Sequence, residues 1–201
     1  CIAPADGYAC KVEREACDVT LGAGVVHPVG EGASNAPCAP YGGNRYLIEG
    51  EPDLDATFAC MAQVGIAGAS SEVPMDAMVA ALSPSLIGAD GCNAGFLRDD
   101  AVLVITFISD DPKYVDSGTP ADWYDAVVAA KHGESGAIVV LALTPAFDGC
   151  GPDEYPDKGK HWSEFVALFG DAGREASVCS ASYGGFFADA VPLIDEACKA
   201  R

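Results

Sequence analysis

Apolar residues along this chain fall into two patterns. Residues 101–108 (AVLVITFI) and 137–144 (AIVVLALT) are unbroken runs of apolar and β-branched residues. A strand covered on both faces of a parallel sheet requires such a run, whereas a half-solvated strand alternates. Elsewhere the apolar positions recur at helical spacing. Leu54, Phe58, Met61 and Ala62 form one stripe, with Asp53 or Asp55 in the first turn, and Met75, Met78, Val79 and Leu82 form a second, with Ser70 or Ser71 as cap and Pro74 near its start. A third helix begins at Thr119 and Pro120, carries a Trp123–Val127 stripe and stops at Gly133. The segments 161–170 (HWSEFVALFG) and 186–200 (FFADAVPLIDEACKA) are amphipathic, the latter interrupted by Pro192, and 176–182 (ASVCSAS) reads as a modest strand.

From residue 101 the order is therefore strand, helix, strand, helix, strand, helix, which implies right-handed crossovers and a parallel sheet with helices on both faces. Upstream, 18–29 (DVTLGAGVVHPV) is strand-like, 30–44 is dense in turn formers, and RYLIEG (45–50) reads as a returning strand, giving a long-looped hairpin tied by Cys38. Residues 1–17 hold three cysteines, Pro4 and Gly7 without periodicity and read as a stapled leader. The expected fold is a three-layer α-β-α domain over 18–201, with a mostly parallel sheet and a β-hairpin edge.

Half of the 201 residues are hydrophobic, so a sizeable core is available to a single domain. The longest apolar run suits a buried strand and is too short to span a membrane. Nine cysteines without CxxC spacing favour disulfides in an oxidising compartment over zinc. Cys10, Cys17, Cys38, Cys60, Cys92, Cys150, Cys179 and Cys198 are the disulfide candidates, and spacing does not assign their partners. Cys1 fits the lipid-carrying position of a processed bacterial lipoprotein, or simply the start of the chain. A formal charge of −19 repels nucleic acid and anionic membrane surfaces, which leaves cations and basic protein surfaces as partners.

Ligands of open α/β sheets bind at the carboxyl ends of the strands, where Asp110 and Asp111 follow the first buried run. Adjacent carboxylates there offer hard oxygens to magnesium or calcium, or simply begin a solvated loop. The loop bearing Asp148, Asp153, Glu154 and Asp157 lacks the spacing and central glycine of a helix-loop-helix calcium site, and Cys150 is expected to staple it to the body. His27, His132 and His161 show no paired ligand pattern, and Ser182 with Tyr183, Gly184 and Gly185 is not a nucleophile elbow.

The succession VTLGAGVV, RYLIEG, FACMAQVGIAGASSEVPMDAMVAAL and NAGFLRDDAVLVITFISDD resembles the von Willebrand factor A-like domains of bacterial surface proteins and lipoproteins, over about residues 18–199. The resemblance implies a Rossmann-like sheet and a metal-ion-dependent adhesion site built on three loops. Its third element matches Asp110, with Asp111 beside it. Its second falls at Ile66 where a hydroxyl is expected, with Ser70 or Ser71 near enough to be recruited, and its first, Asp-x-Ser-x-Ser, is absent from these residues. The implied site is thus Asp110, Asp111 and Ser70 around magnesium or calcium, with a metal-free module as the equal alternative.

The missing motif normally ends a central strand. Loss of that strand leaves backbone groups of its neighbours unpaired, at about 1–3 kcal/mol for each one buried. The strand could lie outside these residues, come from a partner chain, or be bypassed by pairing of VTLGAGVV with VLVITFI. The function expected is a non-enzymatic, extracellular protein-binding or adhesion module, secreted or on a bacterial surface, or in the periplasm or outer membrane as a lipoprotein. Its partner would be another protein or another copy of itself, with membrane contact only through a lipid on Cys1. The alternatives are a structural subunit completed by a partner's strand and a secreted hydrolase using Asp110 or Asp111 with His161.

Overall fold

The computed structural model describes residues 14–68, 72–111, 115–145, 150 and 159–200. Within them lie six α-helices, α1 (Leu54–Ala62), α2 (Pro74–Ala81), α3 (Pro84–Ile87), α4 (Pro120–Ala130), α5 (Lys160–Ala167) and α6 (Gly184–Lys199), and three strands, β1 (Leu103–Ile108), β2 (Ile138–Thr144) and β3 (Gly173–Ser177). The chain divides into two compact units, Cys1–Ser70 with Ser83–Leu97 and Ser71–Leu82 with Arg98–Arg201.

The second unit is the mixed α/β layer structure. Its strands are parallel in the order β1-β2-β3, with Leu103 opposite Ile138 and Val140 opposite Gly173. All seven residues of β2 are buried, as the unbroken run 137–144 predicts. On one face Phe107 meets Trp162 and Phe165 of α5, with ring centroids 6.3 and 6.5 Å apart, and Phe165 meets Trp123 of α4 at 6.1 Å. On the other, Val139 and Leu141 pack with Ala190, Phe186, Leu193, Ile194 and Ala197 of α6. Helices therefore cover the sheet on both sides, in agreement with the three-layer expectation.

Local chemistry sets the helix ends. The Asp122 backbone N–H donates to Thr119 Oγ1 at 3.3 Å, and the Thr119 N–H donates to the Asp122 carboxylate at 2.8 Å. This reciprocal box satisfies two orphan donors, and Pro120 takes the first helical position. Beyond α4 the chain turns through positive φ at His132 and Gly133, and the Gly133 N–H returns to the Val128 carbonyl at 2.9 Å. Pro192 does not interrupt α6, which runs sixteen residues. Pro192 lies on the exposed side, where the carbonyl its ring leaves without a helical partner is open to solvent.

The buried Lys131 at the end of α4 was unremarked by periodicity. Its ammonium donates to the carbonyls of Arg98, Asp99 and Ala101 at 2.6, 3.2 and 2.9 Å, clasping the segment that leads into β1. Lys131→Met keeps the stem and removes the donors. Because water can reach part of this exposed segment, we expect a loss of about 2 kcal/mol in urea unfolding, and an unchanged midpoint would show that the clasp contributes nothing.

Two expectations for this unit need correction. The last strand occupies 173–177 rather than 176–182. A Cβ on Gly173 would lie 2.2 Å from the Val166 carbonyl, so only glycine lets the backbone run this close to α5 and begin the strand early. The run at 101–108 is a strand over 103–108, but it is not buried on both faces. Among the described strands it lies at one edge of the sheet, and Val104, Thr106 and Ile108 are exposed on the α6 side.

In the first unit the expected hairpin is absent. Residues 16–19 and 41–43 form turns of 3-10 helix, the rest of 20–50 is loops and turns, and the only bridge among the described residues there joins Ala33 to Val64. The proposed pairing of VTLGAGVV with VLVITFI is thereby excluded. The physical reason is the buried Asp18 carboxylate, which accepts from the Val26 and His27 N–H groups at 2.9 and 3.2 Å and from the Arg45 guanidinium. Arg45 Nε donates to the Gly24 carbonyl at 2.7 Å, and a Cβ on Gly24 would lie 2.1 Å from the Arg45 carbonyl. An ion pair and a glycine contact thus hold 18–29 as a loop.

Helix α1 forms as predicted, with Asp53 accepting from the Ala56 N–H at 3.2 Å, but its stripe faces solvent, since Leu54 and Phe58 are exposed. Disulfides Cys17–Cys92 and Cys38–Cys60 cross-link this unit, and Cys150–Cys179 the other. Cys198 is a free, exposed thiol, contrary to its candidacy for a disulfide, and Cys1 and Cys10 lie outside the described residues. The three bridges fit an oxidising, extracellular-type compartment. No helix among the described residues is long and apolar enough to cross a membrane.

Candidate functional site

The carboxyl ends of the three strands bring together the polar residues of the sheet. Beyond Ile108, Ser109 is buried and its hydroxyl donates to the Glu72 carboxylate, while the Asp111 N–H donates to Ser109 Oγ at 3.3 Å. The Glu72 N–H approaches the Asp111 carboxylate at 3.5 Å, so Asp111 and the segment before α2 are tied to the end of β1. Asp110 is exposed beside them. At the end of β2 the buried Thr144 hydroxyl donates to Glu175 at 2.5 Å, and Ser163 of α5 donates to the same oxygen at 2.8 Å. Past β3, Ser177 Oγ lies 3.5 Å from the Cys150 sulfur and accepts from the Cys179 N–H at 3.1 Å, so the Cys150–Cys179 bridge closes this end of the sheet.

One carboxylate of this rim escaped the sequence reading. Asp116 is buried, and it accepts from the Met75 and Asp76 N–H groups at 2.8 and 3.1 Å and from Trp162 Nε1 at 3.0 Å. It caps α2 from outside, in the place expected of Ser70 or Ser71, which lie outside the described residues. Burial pushes the Asp116 carboxyl above its ordinary value, and the three donors oppose that shift. All its acceptor capacity is turned inward, which makes it a structural group.

The residues implied as a metal site are brought together only in part. Asp110 and Asp111 stand at the rim, Ser70 is not described, and Ile66 is among the most exposed apolar side chains of its own unit. Among the described residues no group of three His, Cys, Asp or Glu side chains is arranged to hold a cation. Glu72, itself exposed, is engaged by Ser109, Asp111 is drawn toward the Glu72 backbone, and Asp110 is exposed beside them. The acidic loop Asp148, Asp153, Glu154 and Asp157 lies outside the described residues.

His132 pairs with Asp99 at 2.9 Å on the surface, and His161 lies 3.8 Å from Glu164, one helical turn away. Ser182 accepts from the Gly184 N–H at 3.3 Å at the start of α6. A separate polar cavity of about 340 Å³ lies in the first unit between Glu15, Arg45, Tyr46 and Asp90 over the Cys17–Cys92 bridge.

The other feature beside the rim is the edge of β1. The Ser109 N–H bonds to the Leu143 carbonyl at 3.1 Å, so by strand alternation residues 105, 107 and 109 direct their backbone groups to β2, and Val104, Thr106 and Ile108 direct theirs away from the sheet. No other strand among the described residues pairs with that edge. The opposite edge strand, β3, is five residues long and carries Arg174 and Glu175, whereas β1 carries six residues with no charge, proline or glycine. Charged and short edges are how sheets discourage further pairing, and β1 has neither device. No protein-family model, curated protein or solved structure matches this chain.

Proposed function

We propose that this protein is an extracellular binding or assembly module, of von Willebrand factor A-like type and without enzymatic activity, that takes up an extended segment of a partner polypeptide along β1. The observation that carries this reading is the unprotected edge: Val104 is 37% and Ile108 53% exposed in a strand without a charged residue, next to a fully buried β2. An added strand would receive main-chain hydrogen bonds from residues 104, 106 and 108, and the exposed Val104 and Ile108 side chains would select apolar residues at alternate positions. The rim acids, Asp110 first among them, stand at the end of this strand and favour a basic residue just past the paired segment. This reading needs no metal, and Asp110 acts through charge alone.

Hydrogen exchange of the free protein tests the premise, and peptide binding tests the function. The Thr106 and Ile108 amides are expected to exchange rapidly and the Ile105 and Phe107 amides slowly, since only the latter bond to β2. From a random library of extended peptides, binders should protect Thr106 and Ile108. Thr106→Pro, which removes an outward donor at a position an edge strand tolerates, should weaken those binders at least about tenfold. Slow exchange of Thr106 and Ile108 in the free protein would mean the edge is already occupied, and the reading would fall.

A further inference from the structure

Helix α6 carries two apolar stripes. Phe186, Ala190, Leu193 and Ala197, at spacings of four, three and four, face Val139 and Leu141 in the core. One position further round the helix, Phe187, Val191, Ile194 and Cys198 repeat the same four-three-four spacing. Of this outer stripe Phe187 is 37% and Val191 58% exposed and Cys198 is an exposed free thiol, while Ile194, half-buried, also packs against the Val139 and Leu141 core. Four-three spacing of apolar residues is the seam of paired parallel helices, and a helix that has already buried one seam against its own sheet has no internal use for a second.

We propose that this outer stripe of α6 is the contact face between two copies of the chain, paired parallel about a two-fold axis and joined through Cys198 to Cys198. The free Cys198 thiol selects a second copy as the occupant. A two-fold axis along the helix sets each residue of the stripe against itself, so only an identical chain is certain to present a thiol opposite Cys198. The nine cysteines are odd in number, so pairing within these residues leaves at least one over, and among the described cysteines that one is Cys198. Helix axes about 8–10 Å apart bring facing Cα atoms to the roughly 4.4–6.8 Å separation of a disulfide.

The flanks permit this pairing despite the net charge of −19. Positions beside the stripe are Ala188, Ala190, Asp195 and Ala197, so the facing flanks set Asp195 against Ala190 rather than against another acid. Size explains the cysteine. A sixteen-residue helix is about 24 Å long, and one stripe on it covers well under the roughly 800 Å² per partner of a stable interface. The pair therefore depends on its covalent link. In an oxidising compartment a disulfide donor of the glutathione class supplies the oxidation. One Cys198 thiolate displaces a thiol to give a mixed disulfide, the second copy's thiolate displaces the other, and two donor thiols are released for each bridge formed.

The test uses the whole chain in a mixture of oxidised and reduced glutathione. Non-reducing electrophoresis and light scattering should show a species of twice 20.5 kDa, reverting to monomer when reduced, and peptide mapping should find Cys198 linked to Cys198. Cys198→Ser should remain monomeric. Val191→Asp, at a solvated position that leaves the core intact, should slow crosslinking at least about tenfold by placing like charges opposite one another. A wild-type chain that stays monomeric with Cys198 capped by glutathione would overturn the proposal, as would linkage through Cys1 or Cys10. Val191→Asp crosslinking as fast as wild type would also overturn it, because Cys198 would then be reacting as a bare surface thiol.

Discussion

Asp116→Ala should lower the unfolding free energy of the sheet-bearing unit by about 4 kcal/mol, since it strands the Met75 and Asp76 N–H groups and Trp162 Nε1 together. The chain's two tryptophans, Trp123 and Trp162, are both buried in this unit, so urea unfolding followed by tryptophan emission reads the loss directly. Asp116→Asn should cost about half as much, because one oxygen can still accept from α2 while its amide N–H would face the Trp162 N–H. The pH dependence has a definite sign. The folded state holds the Asp116 proton more tightly than the unfolded chain does, through burial and the neighbouring Asp76 charge. The stabilisation this gives is complete below pH 3.8, the unperturbed value, and is lost as pH rises through the raised folded value. The advantage of wild type over Asp116→Asn should therefore be larger near about pH 3.5 than near about pH 7. An advantage that grows with pH would show that the three donors outweigh the burial.

The parts of this fold legible in the sequence are those whose cause is local. Thr119, Pro120 and Gly133 bound α4 because a capping box, a proline at the first position and a left-handed turn are encoded within a few residues of each helix end. The buried β2 was equally plain. Asp116 was not, because its partners lie 40 to 46 positions away and nothing adjacent marks it as a cap. Lys131 escaped for the same reason, since its three acceptors are main-chain carbonyls, which leave no trace in residue identity.

The misreadings also have physical causes. Residues 18–29 have strand-like composition, but Asp18 inside that stretch recruits Arg45 and two backbone N–H groups, and this pairing overrides β-propensity. In β1 the unbroken run predicted a strand correctly, yet hydrophobicity records what a strand is suited to have on its faces, not which chain supplies it. The uncovered Val104 and Ile108 are the point at which that distinction becomes functional, and the outer stripe of α6 is a second such point. At the rim, Asp110 and Asp111 were found from their place after β1, whereas Glu72, which engages Ser109, could be found only from the structure.

Removing Cys17 and Cys92 together should be the most damaging change to the unit formed by Cys1–Ser70 and Ser83–Leu97. Their sequence separation of 75 residues corresponds to about 4.5 kcal/mol of loop-closure entropy in the unfolded chain. Among the described residues this unit buries few large apolar side chains, with Leu86 the largest and Leu54, Phe58, Val64 and Ile66 all exposed, so little burial offsets the loss. Its order rests on polar fastenings that work only while the bridge holds their partners in place. Asn93, next to Cys92, accepts from the Gly24 N–H at 2.9 Å and donates to the Gly22 carbonyl at 2.9 Å, which joins the loop at 22–24 to the segment after α3. In Cys17→Ala/Cys92→Ala, hydrogen exchange at Gly24, Val26 and His27 should accelerate by at least about a hundredfold. Tryptophan emission from the other unit, fastened by its own Cys150–Cys179 bridge, should change far less. Protection at those three amides equal to wild type would show that Asp18 and Asn93 hold the loop unaided, and simultaneous loss of the tryptophan signal would show that the two units unfold as one.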